Sequence, residues 1–182
     1  AVSLLARMEV AGMDVGNRWE DVAGRMKARA TDTILPFLTL QYLYGLARAE
    51  RDEADTLMQA VEDRAASATG FDATVWREVA LPAARGMLAH ARGDHAAAVR
   101  WLSLANPRMR EIGGSHAQRD LFGQLLLDAH MKAGDWAVFA DMLAAAGIEV
   151  LADVRRFPGS RRNPQFSGEA MAKALPLLGV EY

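Results

Sequence analysis

Residues 91–96 read Ala91-Arg92-Gly93-Asp94-His95-Ala96, a helix end followed by a glycine, an aspartate and the start of a new helix. Glycine readily adopts the left-handed conformation that ends helices, and aspartate accepts hydrogen bonds from the free N–H groups of the next helix. The pattern recurs around Asp135, as Gly134-Asp135, and in outline around Asp52. These turns lie about 42 residues apart, a spacing that predicts a series of helix pairs.

Hydrophobic periodicity extends this prediction over residues 1–136, on both sides of the Gly93 turn. Helices are predicted over residues 1–11, 17–30 with Asn17 as the cap, 74–92 and 115–134. Two further helices are predicted to begin at Pro36 and after Asp52. The segment 67–72 is predicted as a loop, and Pro82 predicts a kink. Because one helix pair cannot bury both of its apolar faces, about three pairs are expected to stack.

A cluster of polar residues marks the start of the helix predicted at 115–134. Ser115 and Gln118 have the spacing of a capping box, in which each side chain bonds the other's backbone N–H. The cluster is predicted to form a structural network or the polar lining of a groove; its members are Ser115, His116, Gln118, Arg119 and Asp120. A histidine–aspartate pair can move protons, but no nucleophile accompanies this one, so the structural interpretation is favoured.

The composition excludes several classes of function. The 182 residues carry a net charge of -2 and no cysteine, which argues against a chain-wide nucleic-acid surface and excludes disulfides and thiolate metal sites. No apolar run approaches the roughly 20 residues needed to cross a membrane. Phosphate-loop, hydrolase and zinc-protease motifs are absent from the sequence. We therefore predict a cytoplasmic protein with no cofactor, no metal and no complete catalytic set.

The predicted helical part resembles a known family. The segment Gly93–Val99 and the run Leu104-Ala105-Asn106-Pro107 look like the turn and second helix of a tetratricopeptide repeat. The octapeptide 113–120 resembles a segment of the tetratricopeptide repeat protein 38 family, and so do residues 15–19 and 81–85. The resemblance covers about residues 1–136. It implies an α-helical scaffold and brings no catalytic residues.

A different pattern begins after residue 136. Residues 148–154 are predicted as a strand, 155–163 as a polar loop, and a helix capped by Ser167 follows before a short strand at 180–182. A strand, loop, helix and strand in this order imply a parallel pair in an α/β sheet. The predicted fold is therefore mainly α, a tetratricopeptide-like helical repeat stack at 1–136 with a short α/β fragment at 137–182.

The segment 147–166 closely resembles the start of the family called domain of unknown function 488. Its letters run Gly147-Ile148-Glu149-Val150-Leu151-Ala152-Asp153-Val154-Arg155-Arg156-Phe157-Pro158-Gly159-Ser160 and then Arg161-Arg162-Asn163-Pro164-Gln165-Phe166. The resemblance covers about residues 138–182. The family's opening Gly-His-Ser strand and everything after Tyr182 are missing, so the α/β unit is expected to be truncated.

Four arginines surround the loop that follows the predicted strand. An anion could bind there, where arginine side chains and helix N–H groups converge beside a strand end. The alternative is a solvated loop whose arginines pair with nearby carboxylates. The residues are Arg155, Arg156, Arg161 and Arg162, and Arg155 is the first choice for a functional role.

Three hypotheses of function follow from these patterns. The first is a non-catalytic scaffold that binds a protein or peptide on its stacked helix pairs. The second is an incomplete anion- or nucleotide-binding α/β enzyme domain centred on the Arg155 loop. The third is a chimeric fragment with no function of its own, since the chain starts inside a helical pattern. Residues 148–182 are expected to be the less stable part, and the exposed strand could mediate self-association.

Overall fold

The computed structural model describes residues 1–152 and 167–182, and the protein is mainly helical. The chain divides into two compact units, Ala1–Leu126 and Leu127–Tyr182. The boundary therefore lies N-terminal to the position predicted after residue 136. Residues 1–136 contain no strand, which confirms the helical prediction for that range.

The first unit is built around two central helices, α3 and α6. Its helices are α1 (Val2–Val10), α2 (Arg18–Met26), α3 (Pro36–Arg48), α4 (Glu53–Ser67), α5 (Phe71–Val75), α6 (Leu81–Ala91), α7 (His95–Ala105) and the start of α8 (His116–Ala133). Helix α3 packs against α1, α2, α4 and α6, and α6 packs against α3, α4 and α7. Since α3 has neighbours on most sides, its apolar residues extend around the helix instead of forming one stripe.

The three helix ends of the repeated pattern share one hydrogen-bonded turn, which is also found at Gly12 and Gly147. Glu50, Gly93 and Gly134 have φ angles of 54°, 81° and 78°. In each turn the N–H of the next residue bonds the carbonyl five positions back, at 3.0 Å for Arg51, 2.9 Å for Asp94 and 3.0 Å for Asp135. This is the Schellman motif. The turns predicted from the Gly-Asp pattern are therefore present and alike in geometry.

Only one of the aspartates that follow these turns caps a helix. The Asp94 carboxylate accepts the Ala97 N–H at 3.0 Å, as predicted. Asp52 makes no side-chain cap bond because its backbone is already helical, with φ -59° and ψ -26°, whereas a capping residue is usually extended. Asp135 occupies the predicted N-cap position of α9 but makes no side-chain cap bond; its carboxylate lies 3.0 Å from Nδ1 of His130.

The turn at Glu50 is the one that lacks a glycine. A left-handed conformation costs roughly 1 kcal/mol for a residue with a Cβ atom and almost nothing for glycine. Glu50→Gly is therefore expected to raise the free energy of unfolding by about 1 kcal/mol, measured by urea denaturation. Glu50→Ala keeps the Cβ atom and serves as the control; an equal gain from alanine would contradict the explanation.

A π turn lies just before Pro82, the residue at which the sequence predicts a kink. Residues Trp76–Ala80 form this turn, in which the Leu81 N–H bonds the Trp76 carbonyl. Pro82 follows this turn by two residues, and because proline has no N–H it cannot donate to a carbonyl of the preceding turn. The helical stretch already begins at Phe71, so the loop predicted at 67–72 shrinks to residues 68–70.

Glycines allow two helix pairs to approach closely in this unit. A Cβ atom on Gly86 of α6 would lie 2.7 Å from Leu102 Cγ and 2.9 Å from the Leu102 backbone nitrogen on α7. A Cβ atom on Gly45 of α3 would lie 2.9 Å from Met26 Sδ on α2. These glycines therefore set the distance between the helices of each pair.

The second unit has its own small core. It contains the end of α8, α9 (Trp136–Ala145), α10 (Gly168–Ala174) and a 3-10 turn at Pro176–Leu178. Buried apolar side chains from α9, α10 and the C-terminal segment pack together: Phe139, Ala140, Leu143, Met171, Leu175 and Val180. The Ser167 hydroxyl accepts the Ala170 N–H at 3.2 Å, which is the cap predicted for α10.

The α/β prediction for this unit needs correction. Within the described residues, the segment predicted as a strand at 148–154 forms one isolated parallel bridge between Val150 and Glu181. The Leu151 N–H bonds the Glu181 carbonyl at 2.7 Å, and the Glu181 N–H bonds the Glu149 carbonyl at 2.9 Å. A strand needs a partner of similar length, and residues 180–182 offer this segment a single bridging position. Residues 153 and 154 lie outside the described ranges.

Candidate functional site

The predicted capping box forms at the beginning of α8. The Gln118 N–H donates to the Ser115 hydroxyl at 3.3 Å, and the Ser115 N–H donates to the Gln118 side-chain oxygen at 2.8 Å. Both bonds satisfy backbone donors that the first helical turn would otherwise leave free. Ser115 and Gln118 therefore fix where α8 starts and how its next residues are presented.

Removing the Ser115 hydroxyl tests this capping box. Ser115→Ala is expected to lower the free energy of unfolding by about 1 kcal/mol, because the Gln118 N–H loses its acceptor. The control is Ser103→Ala in the middle of α7, where the serine is exposed. Urea denaturation of both variants gives the comparison. Equal midpoints for Ser115→Ala and the unaltered chain would show that the hydroxyl does not stabilise α8.

The other three predicted residues line a common pocket. His116, Arg119 and Asp120 surround a cavity of about 440 Å³ between the start of α8 and the preceding 3-10 segment, Asn106–Ile112. Its remaining lining residues are Asn106, Pro107, Met109, Arg110 and Gly123. We call this cavity the α8 pocket. The sequence predicted the α8 side of it and missed the side formed by the 3-10 segment.

Two of the pocket side chains are already held by hydrogen bonds. Nη1 of Arg119 donates to the carbonyls of Gly113, at 3.4 Å, and of Gly114. The Asp120 carboxylate accepts from Arg7 at 3.3 Å and from Gln124 at 2.5 Å. Arg7 belongs to α1, 113 residues away, so no local pattern could have revealed it, whereas Gln124 lies one helical turn beyond Asp120.

Two other side chains of the α8 pocket keep their donors available. Within the part of the chain that the structure describes, Arg110 and His116 make no hydrogen bond or ion pair through their side chains. Both are exposed. Residues 1–152 and 167–182 also show no hydrogen bond between His116 and Asp120, and the Ser115 hydroxyl is occupied by the capping box. The α8 pocket therefore offers donors to a ligand and does not have the geometry of a proton relay.

A second concave surface, which is apolar, lies between α1 and α2. Its volume is about 340 Å³, and it is lined by Ala1, Leu4, Leu5, Arg18, Asp21, Val22, Arg25 and Met26. We call it the α1–α2 groove. Leu4 is 63% exposed there. Its three charged residues lie on α2, so an apolar floor meets a charged rim.

The four arginines of the predicted anion site, Arg155, Arg156, Arg161 and Arg162, lie outside the described residues. The anion site therefore stays a prediction. Among the residues that the structure describes, no group of three or more metal-binding side chains could hold a metal ion. The same residues include no helix with the length and hydrophobicity required to traverse a lipid bilayer.

Comparison with known proteins bears on the second unit. No solved structure matches this chain. The family model described as "Domain of unknown function DUF488" matches residues 135–182. The match confirms the resemblance seen in the C-terminal sequence and also takes in α9, and the family's description assigns it no function. Residues 135–182 of this chain are thus similar to part of the DUF488 family.

Proposed function

We propose that the first unit is a protein-interaction scaffold whose α1–α2 groove receives a helix of a partner protein. The observation that carries this proposal is the apolar groove with Leu4 exposed at its edge. An amphipathic helix binds such a groove by inserting apolar side chains spaced at three, four and seven residues. Apolar surface left accessible in this way is a common mark of an interaction site.

The scaffold is proposed to consist of tetratricopeptide-like helix pairs. Helices α3 and α4 form one pair around the turn at Glu50, and α6 and α7 form another around Gly93. The regular spacing of these turns, about 42 residues, and the resemblance to the tetratricopeptide repeat protein 38 family both support this organisation. In such stacks, neighbouring pairs bury each other's apolar faces and leave a surface for partners.

The face of α2 that lines the groove differs from the face that packs inside the unit. Trp19 and Ala23 are buried. The groove residues Arg18, Asp21, Val22, Arg25 and Met26 recur at intervals of three and four positions, which places them on one side of the helix. Met26 also packs against α3 near Gly45. The stripe of α2 that lies outside the core therefore consists of Arg18, Asp21, Val22 and Arg25.

The charges on the rim favour an acidic partner. Arg18 and Arg25 outnumber Asp21, so the rim carries a net positive charge. A second copy of α2, packed antiparallel about its centre, would bring Arg18 next to Arg25 of the other copy, and like charges repel. We therefore propose a partner helix with glutamates or aspartates beside its apolar stripe. Self-association through the segment at Val150 remains a separate proposal.

A designed peptide can test the groove. The probe is a fluorescent amphipathic helix of about 18 residues with leucines on one face and glutamates beside them, titrated with the 182-residue chain by anisotropy. Leu4→Glu is expected to weaken binding by about tenfold or more, because it places a charge against the apolar stripe. Arg25→Glu should also weaken binding, since it reverses the charge on the rim.

Leu104→Glu supplies the matched control, because Leu104 is 59% exposed on α7 and does not line the groove. It should bind the peptide as the unaltered chain does. A peptide in which lysines replace the glutamates should bind less tightly. Equal affinity of the Leu4→Glu and Leu104→Glu variants would rule out the groove as the binding surface.

A further inference from the structure

Three side chains that can donate hydrogen bonds, two arginines and one histidine, line the α8 pocket. Arg110 and His116 make no side-chain hydrogen bond or ion pair among the described residues, as noted above. Arg119 bonds the Gly113 and Gly114 carbonyls through Nη1, which leaves its Nε and Nη2 atoms for another acceptor. An arginine carries five N–H donors in a planar fork, a geometry that suits the oxygens of carboxylates and phosphates.

The carboxylates near the α8 pocket already accept hydrogen bonds from other side chains. Asp120 is the acidic residue in the lining, and Arg7 and Gln124 donate to it at 3.3 Å and 2.5 Å. Glu111, adjacent to Arg110, accepts bonds of 2.7 Å and 2.8 Å from Arg108, which also bonds Glu78. Arg108 lowers the pKa of Glu111, and the charge of Arg110 adds to this effect. Among the lining residues, the two arginines Arg110 and Arg119 outnumber the one carboxylate, Asp120, so the lining of the α8 pocket carries a net positive charge.

The cavity also has room for a ligand. Its volume of about 440 Å³ falls in the range of small-molecule sites. Gly123 lines it, and a Cβ atom built on Gly123 would meet no atom within 4 Å. A larger side chain at this position would consequently extend into open space and reduce the cavity, without displacing a neighbouring residue.

We propose that the α8 pocket binds an oxyanion group, a carboxylate or a phosphate, through Arg110, Arg119 and His116. The Arg110 guanidinium donates to no acceptor among the described residues. Arg119 can donate through Nε and Nη2, the atoms that do not bond the Gly113 and Gly114 carbonyls. His116 adds a ring nitrogen at the edge of the same cavity. This site is distinct from the α1–α2 groove and shares no lining residue with it.

Titration with simple anions tests the site on the full 182-residue chain. Amide chemical shifts of Gly114 and Gly123 are followed by nitrogen–proton correlation spectra as inorganic phosphate or succinate is added. Sodium chloride at matched ionic strength accounts for screening. Saturable shifts with phosphate alone identify a phosphate ligand, saturable shifts with succinate alone identify a carboxylate, and either result supports the proposal.

Two variants connect the shifts to the pocket. Arg110→Gln should weaken binding by about tenfold, since the fork is lost. Gly123→Met should abolish binding while the melting midpoint stays the same or rises, because methionine suits a helix better than glycine. Arg100→Gln, at an exposed arginine of α7 outside the pocket, should bind the anion as the unaltered chain does.

Several results would overturn the proposal. The first is the absence of saturable shifts with both anions, and the second is an equal response to chloride. A third is a Gly123→Met variant that retains its fold and binds with unchanged affinity. In each case the arginines would be ordinary surface charges.

Discussion

Replacing Gly86 by alanine is expected to lower the free energy of unfolding by about 2 kcal/mol, although alanine is the better helix former. The added Cβ atom would lie 2.7 Å from Leu102 Cγ and 2.9 Å from the Leu102 backbone nitrogen. Leu102 is fully buried, so its side chain cannot swing away without displacing the core. Helices α6 and α7 would have to separate along their whole contact.

The same substitution at Gly24 should have the opposite sign. Gly24 lies inside α2, and a Cβ atom there would meet nothing within 4 Å. Gly24→Ala is therefore expected to raise the free energy of unfolding by about 1 kcal/mol, through helix propensity alone. Urea denaturation of the two variants compares identical chemical changes. A stabilising Gly86→Ala would mean that α6 and α7 do not approach as closely as described.

Arg48→Ala is expected to lower the free energy of unfolding by about 3 kcal/mol, because Arg48 joins four helices. Its Nε and Nη2 atoms donate to the Glu9 carboxylate on α1 at 3.0 Å and 2.6 Å. Nη1 donates to the Ala91 carbonyl at the end of α6 at 3.1 Å, and the guanidinium lies 6.0 Å from the Trp19 ring on α2. Burial lowers the pKa of Arg48, but the hydrogen bond and charge of Glu9, together with the nearby Tyr44 and Glu50, outweigh this effect, so the pKa is raised.

Arg92 provides the matched comparison. It also forms two bonds to a carboxylate on another helix, both 2.8 Å, to Asp55. Its side chain is 48% exposed and that of Asp55 66%, against 30% for Arg48 and 23% for Glu9. Arg92→Ala should therefore cost only about 0.5 kcal/mol, as exposed ion pairs do. Equal losses from the two variants in urea denaturation would show that burial does not decide the strength of these pairs.

Local sequence patterns predicted the hydrogen-bonded turns and caps in which the donor and the acceptor lie within a few residues of each other. The Gly93–Asp94 turn and the Ser115–Gln118 capping box belong to this class, since each is complete within one helical turn. Asp52 shows the limit of such inference. Its residue type fits a cap, but the preceding turn leaves its backbone helical and the side chain is not used.

Contacts between distant segments could not be predicted. Arg48 reaches Glu9 across 39 residues and Asp120 reaches Arg7 across 113. These pairings exist only after the helices pack, and many other arginine–carboxylate pairs in the sequence would have been equally plausible. For this reason, only some of the hydrogen-bond donors that line the α8 pocket could be predicted from the sequence. His116 and Arg119 lie in a recognisable segment, whereas Arg110 comes from a 3-10 turn with no evident sequence signature.

The apolar segment after Gly147 shows why the strand prediction failed. Leu151 packs on the core of the second unit, so an apolar residue is needed there. Val150 and Ile148 are exposed. A short apolar run has the same appearance whether it serves a sheet or a small core. The run forms a strand only if another segment pairs with it along its length. Whether such a segment is present depends on how the whole unit packs.

The π turn at Trp76–Ala80 has a consequence for how relatives of this chain should be aligned. A π turn holds one residue more than the regular helix needs, so it resembles a single insertion absorbed without breaking the helix. Trp76 and Val79 are buried in the arrangement that results. A one-residue gap placed within 76–80 would describe a related chain with an ordinary α-helix. The same gap elsewhere in 71–91 would rotate one end of the helix by about 100° and turn its buried face away from the core.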